Sequence, residues 1–316
     1  MTKLLGADMK RLSKDVPRHK QHRWVQNLRT TERMRYALEF LLVKIIFSAV
    51  NLLPFRSRRS LMGWVFAFVI APVAGYRTRI RNNLDLVWPE LDQDRKAALA
   101  VDTAKNIGRT VCEILSPMDL LDLARQTEIT GAGLGALEEA RKTGQPAIIV
   151  SGHFGNYDLV RASLIHHGFN VGSLYRRMNN PYFHDFYIDK ISQTGTPLFE
   201  RGRPGLSQMV KHLKGGGTVA ALIDVRARNG ESIPFLGKPA RISPSMAELA
   251  LRYNAIVIPF FGTRLSDSQG FTVVLDAPIP HTDPKTMTRA LTNALERRVC
   301  NNPEQWFWIH NFWRVP

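Results

Sequence analysis

The sequence lacks the features that would restrict it to a disulfide-rich, zinc-binding or repetitive class. It contains only two cysteines, Cys112 and Cys300, which are too few for a disulfide framework or a zinc-ligand spacing. Each thiol is predicted to be a small core residue rather than a nucleophile. No internal repeat and no low-complexity tract interrupts the 316 residues.

Acidic residues are also scarce, with 27 Asp and Glu against 43 Lys and Arg and a net charge of +16. Such an excess of positive charge attracts nucleic acid, anionic lipid or an acidic protein, and composition alone leaves all three open. Residues 1–35 contain ten basic and three acidic side chains, a difference of +7. We predict that this basic arm has no packed structure of its own.

No apolar run is an unbroken transmembrane segment. Tyr36–Pro54 contains Glu39 and Lys44, and a second apolar stretch covers Leu61–Gly75. A signal peptide is not predicted, because the charged arm is long and no cleavage pattern follows it. Residues 36–75 are predicted to be an apolar helical membrane-associating segment. It would be either an anchor with the arm on the cytoplasmic side or a helical hairpin that rests on the membrane or on the following domain; two ordinary core helices are the remaining alternative.

The rest of the chain, residues 76–316, alternates strands with helices. Predicted strands are Ala147–Val150, Val171–Tyr175, Pro197–Phe199, Thr218–Ile223, Ile256–Phe261 and Phe271–Leu275. Predicted helices are Asp94–Ser116, Leu134–Lys142, Asn156–His167, Tyr182–Ser192, Leu206–Lys214, Pro244–Tyr253, Lys285–Cys300 and Pro303–Trp313. This alternation predicts an α/β fold with a mostly parallel central sheet flanked by helices.

One segment contains the candidate catalytic residues: PAIIVSGHFGNYD at Pro146–Asp158. It predicts a buried strand, a turn and the start of a helix, with His153 at the carboxyl end of the strand and Asp158 one turn into the helix. A histidine oriented by a carboxylate removes the proton from a hydroxyl that attacks an ester or thioester. Gly152 and Gly155 leave room for a substrate to approach the backbone.

The His-x4-Asp spacing alone is weak, since the chain contains it a second time as His184 and Asp189. That pair lies in a helix-like stretch, where residues five apart point in different directions. We therefore predict that His184 and Asp189 are solvated helix residues.

Three charged residues follow neighbouring predicted strands. Arg176 and Arg177 end one strand, and Asp224 ends another. Parallel strands open at the same edge of a sheet, so the arginines are predicted to bind a phosphate or carboxylate near His153; an ordinary surface pair is the alternative. Asp224 would pair with an arginine or help to position His153, or would be a solvated loop carboxylate. Gly155 and Asn156 complete the predicted substrate-binding set.

Four ordered blocks support a family resemblance: SGHFGNYDLV, LYRRMNNPYF, residues 221–261 and NPEQWFWIHNFW. They resemble the bacterial late acyltransferases of lipid A synthesis, the lauroyl and myristoyl transferases, within the lysophospholipid and glycerol-phosphate acyltransferase superfamily. The resemblance covers Arg79–Trp313. It implies that His153 is the general base, that Asp158 is its acid partner and that Arg176 holds a phosphate or the developing oxyanion, while Asp224 matches the aspartate of the third block.

The resemblance further implies an acyl carrier protein thioester as donor, a phosphorylated sugar-based lipid as acceptor, and the cytoplasmic face of the inner membrane. The chain departs from the usual pattern at Tyr157, Asp158, Val225 and Asn311–Phe312, where the family more often has Trp, Glu, Gln and a basic pair. These departures concern the acceptor more than the reaction type.

The predicted function is a membrane-associated O-acyltransferase that acts on a lipid A precursor and needs no metal or other cofactor. The predicted partners are acyl carrier protein, an anionic lipid acceptor and the membrane, and not nucleic acid. The enzymatic alternatives are a lysophospholipid or other glycolipid acyltransferase and an acyl-thioester hydrolase. A basic nucleic-acid-binding protein is the non-enzymatic alternative, although no binding motif supports it.

Overall fold

A computed structural model of the chain describes residues 28–266 and 270–313. Residues 1–27 of the predicted basic arm lie outside this described part. The domain boundaries drawn from the sequence stay predictions.

The first hundred described residues are helical. The helices are α1 (Thr30–Val50), α2 (Phe55–Val65), α3 (Ala71–Val73), α4 (Tyr76–Val87), α5 (Gln93–Ile114) and α6 (Pro117–Gln126), with a π-helical turn at Phe66–Ile70. Helix α5 begins where the Asp92 carboxylate accepts a hydrogen bond from the Arg95 amide, as expected of an N-cap. Within residues 28–266 and 270–313, no single helix has the length and apolar composition of a membrane span. One pair of helical segments, Phe55–Val73 and Tyr76–Val87, reaches that standard only together and is bent by 85°.

A seven-stranded sheet forms the centre of the fold. Its strands are β1 (Ile129–Thr130), β2 (Ala147–Ser151), β3 (Val171–Tyr175), β4 (Leu198–Glu200), β5 (Thr218–Leu222), β8 (Ile256–Arg264) and β9 (Phe271–Leu275), while β6 (Glu231–Phe235) and β7 (Lys238–Ile242) form a separate antiparallel hairpin. The spatial order is β1-β9-β8-β2-β5-β3-β4, and every neighbouring pair except β8–β9 is parallel.

Helices cover both faces of this sheet. They are α7 (Gly133–Thr143), α8 (Tyr157–His166), α9 (Pro181–Thr194), α10 (Arg203–Lys214), α11 (Ser245–Tyr253) and α12 (Pro284–Asn301). Alternate residues of β2 enter different hydrophobic clusters, with Ile148 and Val150 on one face and Ala147 and Ile149 on the other. This double burial explains why the strand is a continuous apolar run rather than an alternating one. The predicted α/β fold is confirmed.

Two details of the prediction are wrong. Pro303–Trp313 forms only a short 3₁₀ turn at Pro303–Gln305, followed by irregular chain, because its tryptophans fill the core instead of one helical face. The hairpin of β6 and β7 was not predicted, since Pro234 and Pro239, which stand opposite each other in it, weaken a strand pattern.

The cysteines divide between core and surface. Cys112 is buried, and this burial raises the pKa of its thiol to about 12, which fits the predicted core role. Cys300 is exposed on α12, contrary to the prediction.

One side of helix α1 packs on helix α9. The ring of Phe40 is 5.8 Å from that of Phe186 and 6.3 Å from that of Tyr182, both on α9. Phe47 also packs on Phe186. Another side of α1 is exposed and apolar, through Met34, Leu38, Leu41, Leu42, Ile45 and Ile46. Helix α1 therefore packs on α9 by one side and presents apolar side chains outward on another.

Helices α2 and α5 approach each other closely at two glycines, Gly63 and Gly108. A β-carbon on Gly108 would lie 2.4 Å from the carbonyl oxygen of Met62 and 2.6 Å from Cβ of Phe66. Real side chains do not approach backbone that closely, so α2 would have to move away from α5.

We expect Gly108→Ala to lower the free energy of unfolding by about 1–3 kcal/mol, the usual cost of overpacking. Gly135→Ala is the matched control, because Gly135 is also helical and no atom lies within 4 Å of the added carbon. That control should be neutral or more stable by up to about 1 kcal/mol, since alanine favours a helix. Urea unfolding of both variants tests the difference, and equal stability would contradict the packing described.

Candidate active site

The segment with His153 forms the predicted junction between strand and helix. Strand β2 ends at Ser151, and α8 begins at Tyr157. The Asn156 side chain caps α8 by accepting hydrogen bonds from the amides of Asp158 and Leu159. The short turn between them carries His153 at the carboxyl edge of the sheet.

Protein contacts fix this turn on all sides. Gly155 has a φ of +52°, and a β-carbon there would lie 2.0 Å from the carbonyl oxygen of Gly262. Its amide donates to the carbonyl of Gln305, and the amide of Phe307 donates to the carbonyl of His153. Gly155 is therefore required by the protein's own packing, and it is not among the residues that line the cavity in front of His153.

Asp224 holds the imidazole of His153. Its Oδ1 lies 2.7 Å from Nδ1 of His153, and its Oδ2 accepts the backbone amide of His153 at 2.7 Å. The indole of Trp306 donates to the same Oδ2 at 2.9 Å. Asp224 is completely buried, whereas a fifth of the His153 side chain is exposed. The nitrogen left for a substrate is therefore Nε2.

The charge of Asp224 fixes the tautomer of His153. Burial by itself would raise the pKa of Asp224, but the imidazole of His153 and the hydrogen bonds from that residue lower this pKa to about 2. An ionised carboxylate only accepts hydrogen bonds, so the proton of the neutral imidazole lies on Nδ1. Nε2 is then free to accept a proton.

The predicted pairing of His153 with Asp158 is corrected by the structure. The Asp158 carboxylate accepts hydrogen bonds from Nε and Nη2 of Arg161, at 2.7 and 3.2 Å. Arg161 also donates to the carbonyls of Ile191 and Gly195, so the pair ties α8 to the end of α9. Both side chains are nearly buried. Asp158 therefore pairs with Arg161, one helical turn along α8. Asp224 is the carboxylate that contacts the imidazole of His153.

Asn156 is also directed into the protein rather than toward a substrate. Its Nδ2 donates to Oε2 of Glu113 at 2.8 Å. Glu113 is completely buried and accepts further hydrogen bonds from Arg59 on α2 and Arg264 on β8. This group, which we call the Glu113 cluster, joins two N-terminal helices, a core strand and the turn that carries His153.

A cavity of about 540 Å³ lies in front of His153. It opens where two neighbouring strands part, because the β3–β5 pairing ends at Ser173 and Ala220. Its walls are mostly aliphatic and aromatic, and include Tyr157, Leu174, Tyr187, Ile191, Leu198, Ala221, Leu222, Ile223, Met246 and Phe260. Such a space suits an alkyl chain.

Arginines mark the exposed end of this cavity. Arg176 and Arg177 both line it and are exposed, as is Arg201. Arg177 forms a salt bridge with Glu200 at 2.7 Å. The arginine pair predicted from the sequence, Arg176 and Arg177, therefore lies at the expected edge of the sheet. The charge of Arg177 is balanced by Glu200.

A second imidazole, that of His310, lies beside the first. The two rings are 4.7 Å apart, and His310 also lines the cavity. Burial and the neighbouring His153 lower the pKa of His310 to about 4, so it is neutral near neutral pH. Ligand atoms of His153, Asp224 and His310 lie within 4.8 Å of one another, a spacing that would suit a metal ion. Both oxygens of Asp224 already accept hydrogen bonds from protein donors, so the group is better described as a hydrogen-bonded pair with an adjacent imidazole.

The second His-x4-Asp copy lies on α9, as predicted, and its residues do not form a pair among the contacts described. Asp189 is exposed and accepts a hydrogen bond from Gln193. His184 is buried, contrary to the prediction, and burial lowers its pKa.

Comparison with known proteins decides the family. The sequence model of the family described as bacterial lipid A biosynthesis acyltransferase matches residues 26–315. The chain belongs to this family. A lipid A biosynthesis acyltransferase of Haemophilus influenzae is 25% identical over 277 residues, which cover 84% of this chain and 86% of that protein.

Two further relatives differ in their named acceptors. The lipid A biosynthesis lauroyltransferase of Escherichia coli is 25% identical over 242 residues, 73% of this chain and 76% of its own. A phosphatidylinositol mannoside acyltransferase of Mycobacterium tuberculosis is 24% identical over 203 residues, 63% of this chain and 64% of its own. The protein is therefore an acyltransferase, and the enzymatic prediction is confirmed over the nucleic-acid-binding alternative.

Because the folded carboxyl of Asp224 has a pKa of about 2 against 3.8 for the free group, the unfolded chain binds more protons between these values. Stability should therefore fall as pH drops through this window. We expect Asp224→Asn to remove roughly 1 kcal/mol of the stability that the wild-type protein loses between about pH 5 and about pH 3, measured by urea unfolding. Asp189→Asn, at an exposed carboxylate, is the control. An unchanged acid dependence in Asp224→Asn would contradict the assignment.

Proposed function

We propose that this acyltransferase moves a fatty acyl group from an acyl carrier protein thioester to a hydroxyl of a lipid A precursor. The observation that carries the proposal is the His153–Asp224 pair at the apolar cavity of about 540 Å³. The cavity accepts the acyl chain, and the exposed arginines at its open end attract an anionic donor. The relatives named for lipid A synthesis support the choice of acceptor.

In the proposed reaction, Nε2 of His153 removes the proton from the acceptor hydroxyl. The oxygen attacks the thioester carbonyl carbon and forms a tetrahedral intermediate. The C–S bond then breaks, and the protonated His153 returns its proton to the leaving thiolate. Asp224 stays ionised throughout and stabilises the imidazolium. Arg176, exposed on the cavity wall, is proposed to bind a phosphate of the donor or the developing oxyanion.

The kinetic test compares the two residues of the pair. We expect His153→Ala and Asp224→Asn each to lower the rate of acyl transfer by roughly 1,000-fold, the usual range for a general base and its orienting carboxylate. Mass spectrometry of lipid and free fatty acid after reaction with acyl carrier protein donor and a lipid A precursor measures the product.

Asp189→Asn, which changes the acid of the second His-x4-Asp copy, should retain full activity. Substantial transfer by folded His153→Ala protein would refute the base assignment. Free fatty acid as the sole product would favour a thioester hydrolase, and transfer only to another glycolipid would favour an acceptor like that of the mycobacterial relative.

We also propose that the enzyme acts at the cytoplasmic face of the inner membrane through its N-terminal helices. The exposed side of α1 is joined by exposed apolar side chains of α2 and the residues that follow it: Leu61, Trp64, Phe68, Val69 and Val73. Exposed apolar surface of this extent marks an interaction site. Lys44 and Arg56 are exposed on the same segment and would face anionic headgroups.

Replacing Leu38, Leu42 and Ile45 together by Ser should weaken binding to anionic vesicles by roughly 100-fold, at about 1 kcal/mol for each half-buried side chain. Vesicle flotation measures the effect. The matched control replaces three exposed leucines elsewhere, Leu86, Leu206 and Leu265, by Ser. Equal loss in both triple variants, or none in the first, would contradict docking through α1.

A further inference from the structure

A second, smaller cavity adjoins the catalytic one. It has a volume of about 270 Å³ and is lined by Val225, Arg226, Arg228, His310 and Asn311. Val225 and His310 also line the larger cavity, so the two spaces share part of their wall, and the ring of His310 is 4.7 Å from that of His153. Four of the five residues that line the smaller cavity have polar side chains, and two of these are arginines.

Neither arginine of this cavity forms a salt bridge with a carboxylate within residues 28–266 and 270–313. Arg177, by contrast, has Glu200 at 2.7 Å. Nε of Arg226 is buried and has no hydrogen-bond partner in that part of the chain. Buried donors in native proteins are almost always satisfied, so a bound acceptor would complete this site.

Hydrogen bonds hold the turn that carries Arg226 and Arg228. Arg226 and Arg228 follow Asp224 directly, in the turn between β5 and β6. The amide of Ala227 donates to the carbonyl of Arg241 on β7, and Nη1 of Arg241 donates to the carbonyl of Gly230. The same short stretch that supplies the acid of the catalytic pair thus supplies two cations beside it.

The geometry of the reaction assigns the two cavities to different substrates. An acyl chain needs the apolar cavity, and its carbonyl must end near Nε2 of His153. The acceptor hydroxyl must reach the same nitrogen, so the remainder of the acceptor extends away from the acyl chain. The smaller cavity, which shares Val225 and His310 with the larger one, is an adjoining space for this part of the acceptor.

We propose that Arg226 and Arg228 bind a phosphate group on the headgroup of the acceptor lipid and so place its hydroxyl at His153. Guanidinium groups bind phosphate through paired hydrogen bonds, and two of them match the double charge of a phosphate monoester. The inference rests on the proposed function, because it takes the acceptor to be a glycolipid. It adds the chemical feature by which that acceptor is selected.

The test uses the full chain and varies the acceptor. Lipid A precursor with its phosphates is compared with the same lipid after dephosphorylation. Arg226→Gln and Arg228→Gln should each raise KM for the phosphorylated acceptor about tenfold, and the double variant about 100-fold, from lost charged hydrogen bonds. KM for the donor should not change, and the dephosphorylated lipid should not distinguish the variants. Arg252→Gln removes an exposed arginine outside both cavities and should leave the acceptor KM unchanged.

A direct binding measurement separates this proposal from the proposed function. Glucosamine 1-phosphate, glucosamine and inorganic phosphate are titrated into wild-type and doubly substituted protein by calorimetry. Selective loss of the sugar phosphate in the double variant supports the site, even if no lipid A precursor is acylated. Equal binding of the sugar phosphate by both proteins, inorganic phosphate bound as tightly as the sugar phosphate, or a rise in donor KM alone would each overturn the proposal.

Discussion

The Asp224 carboxylate is the interaction on which the catalytic arrangement depends. Three donors converge on it, the backbone amide and Nδ1 of His153 and the indole of Trp306. These groups come from the turn after β2 and from the C-terminal tail, far apart in sequence. Because Asp224 is completely buried, water does not replace any donor that is lost. One carboxylate therefore fixes the imidazole of His153 and holds the tail against the sheet edge.

Much of the arrangement around His153 could be predicted from the sequence. The apolar run before His153 predicted a buried strand, and the ends of the following strands placed Arg176 and Asp224 at the same edge. The sequence did not show which acid pairs with His153, because Asp158 lies within the motif and Asp224 lies 71 residues away from His153. A local signal did exist: Arg161 stands three residues after Asp158, a spacing that pairs charges on one helix face.

The tail shows the limit of pattern reading. Its aromatic residues, including Trp306 and Trp308, have no single helical face, and they fill several parts of the core. The place of His310 beside His153 follows only from that tertiary path. A sequence pattern reports periodicity along an element, and this segment has no regular element. The same applies to Glu113, whose partners come from three separate parts of the chain.

The Glu113 cluster connects the N-terminal helices to the turn that carries His153. Arg59 projects from α2, next to side chains that face outward, and its guanidinium contacts the carboxylate that also holds Asn156. A chain cut before α4 would leave that buried carboxylate short of one cation, at a cost that exceeds the loss of an exposed contact. Arg59 and Glu113 therefore couple the position of α2 to the turn that carries His153.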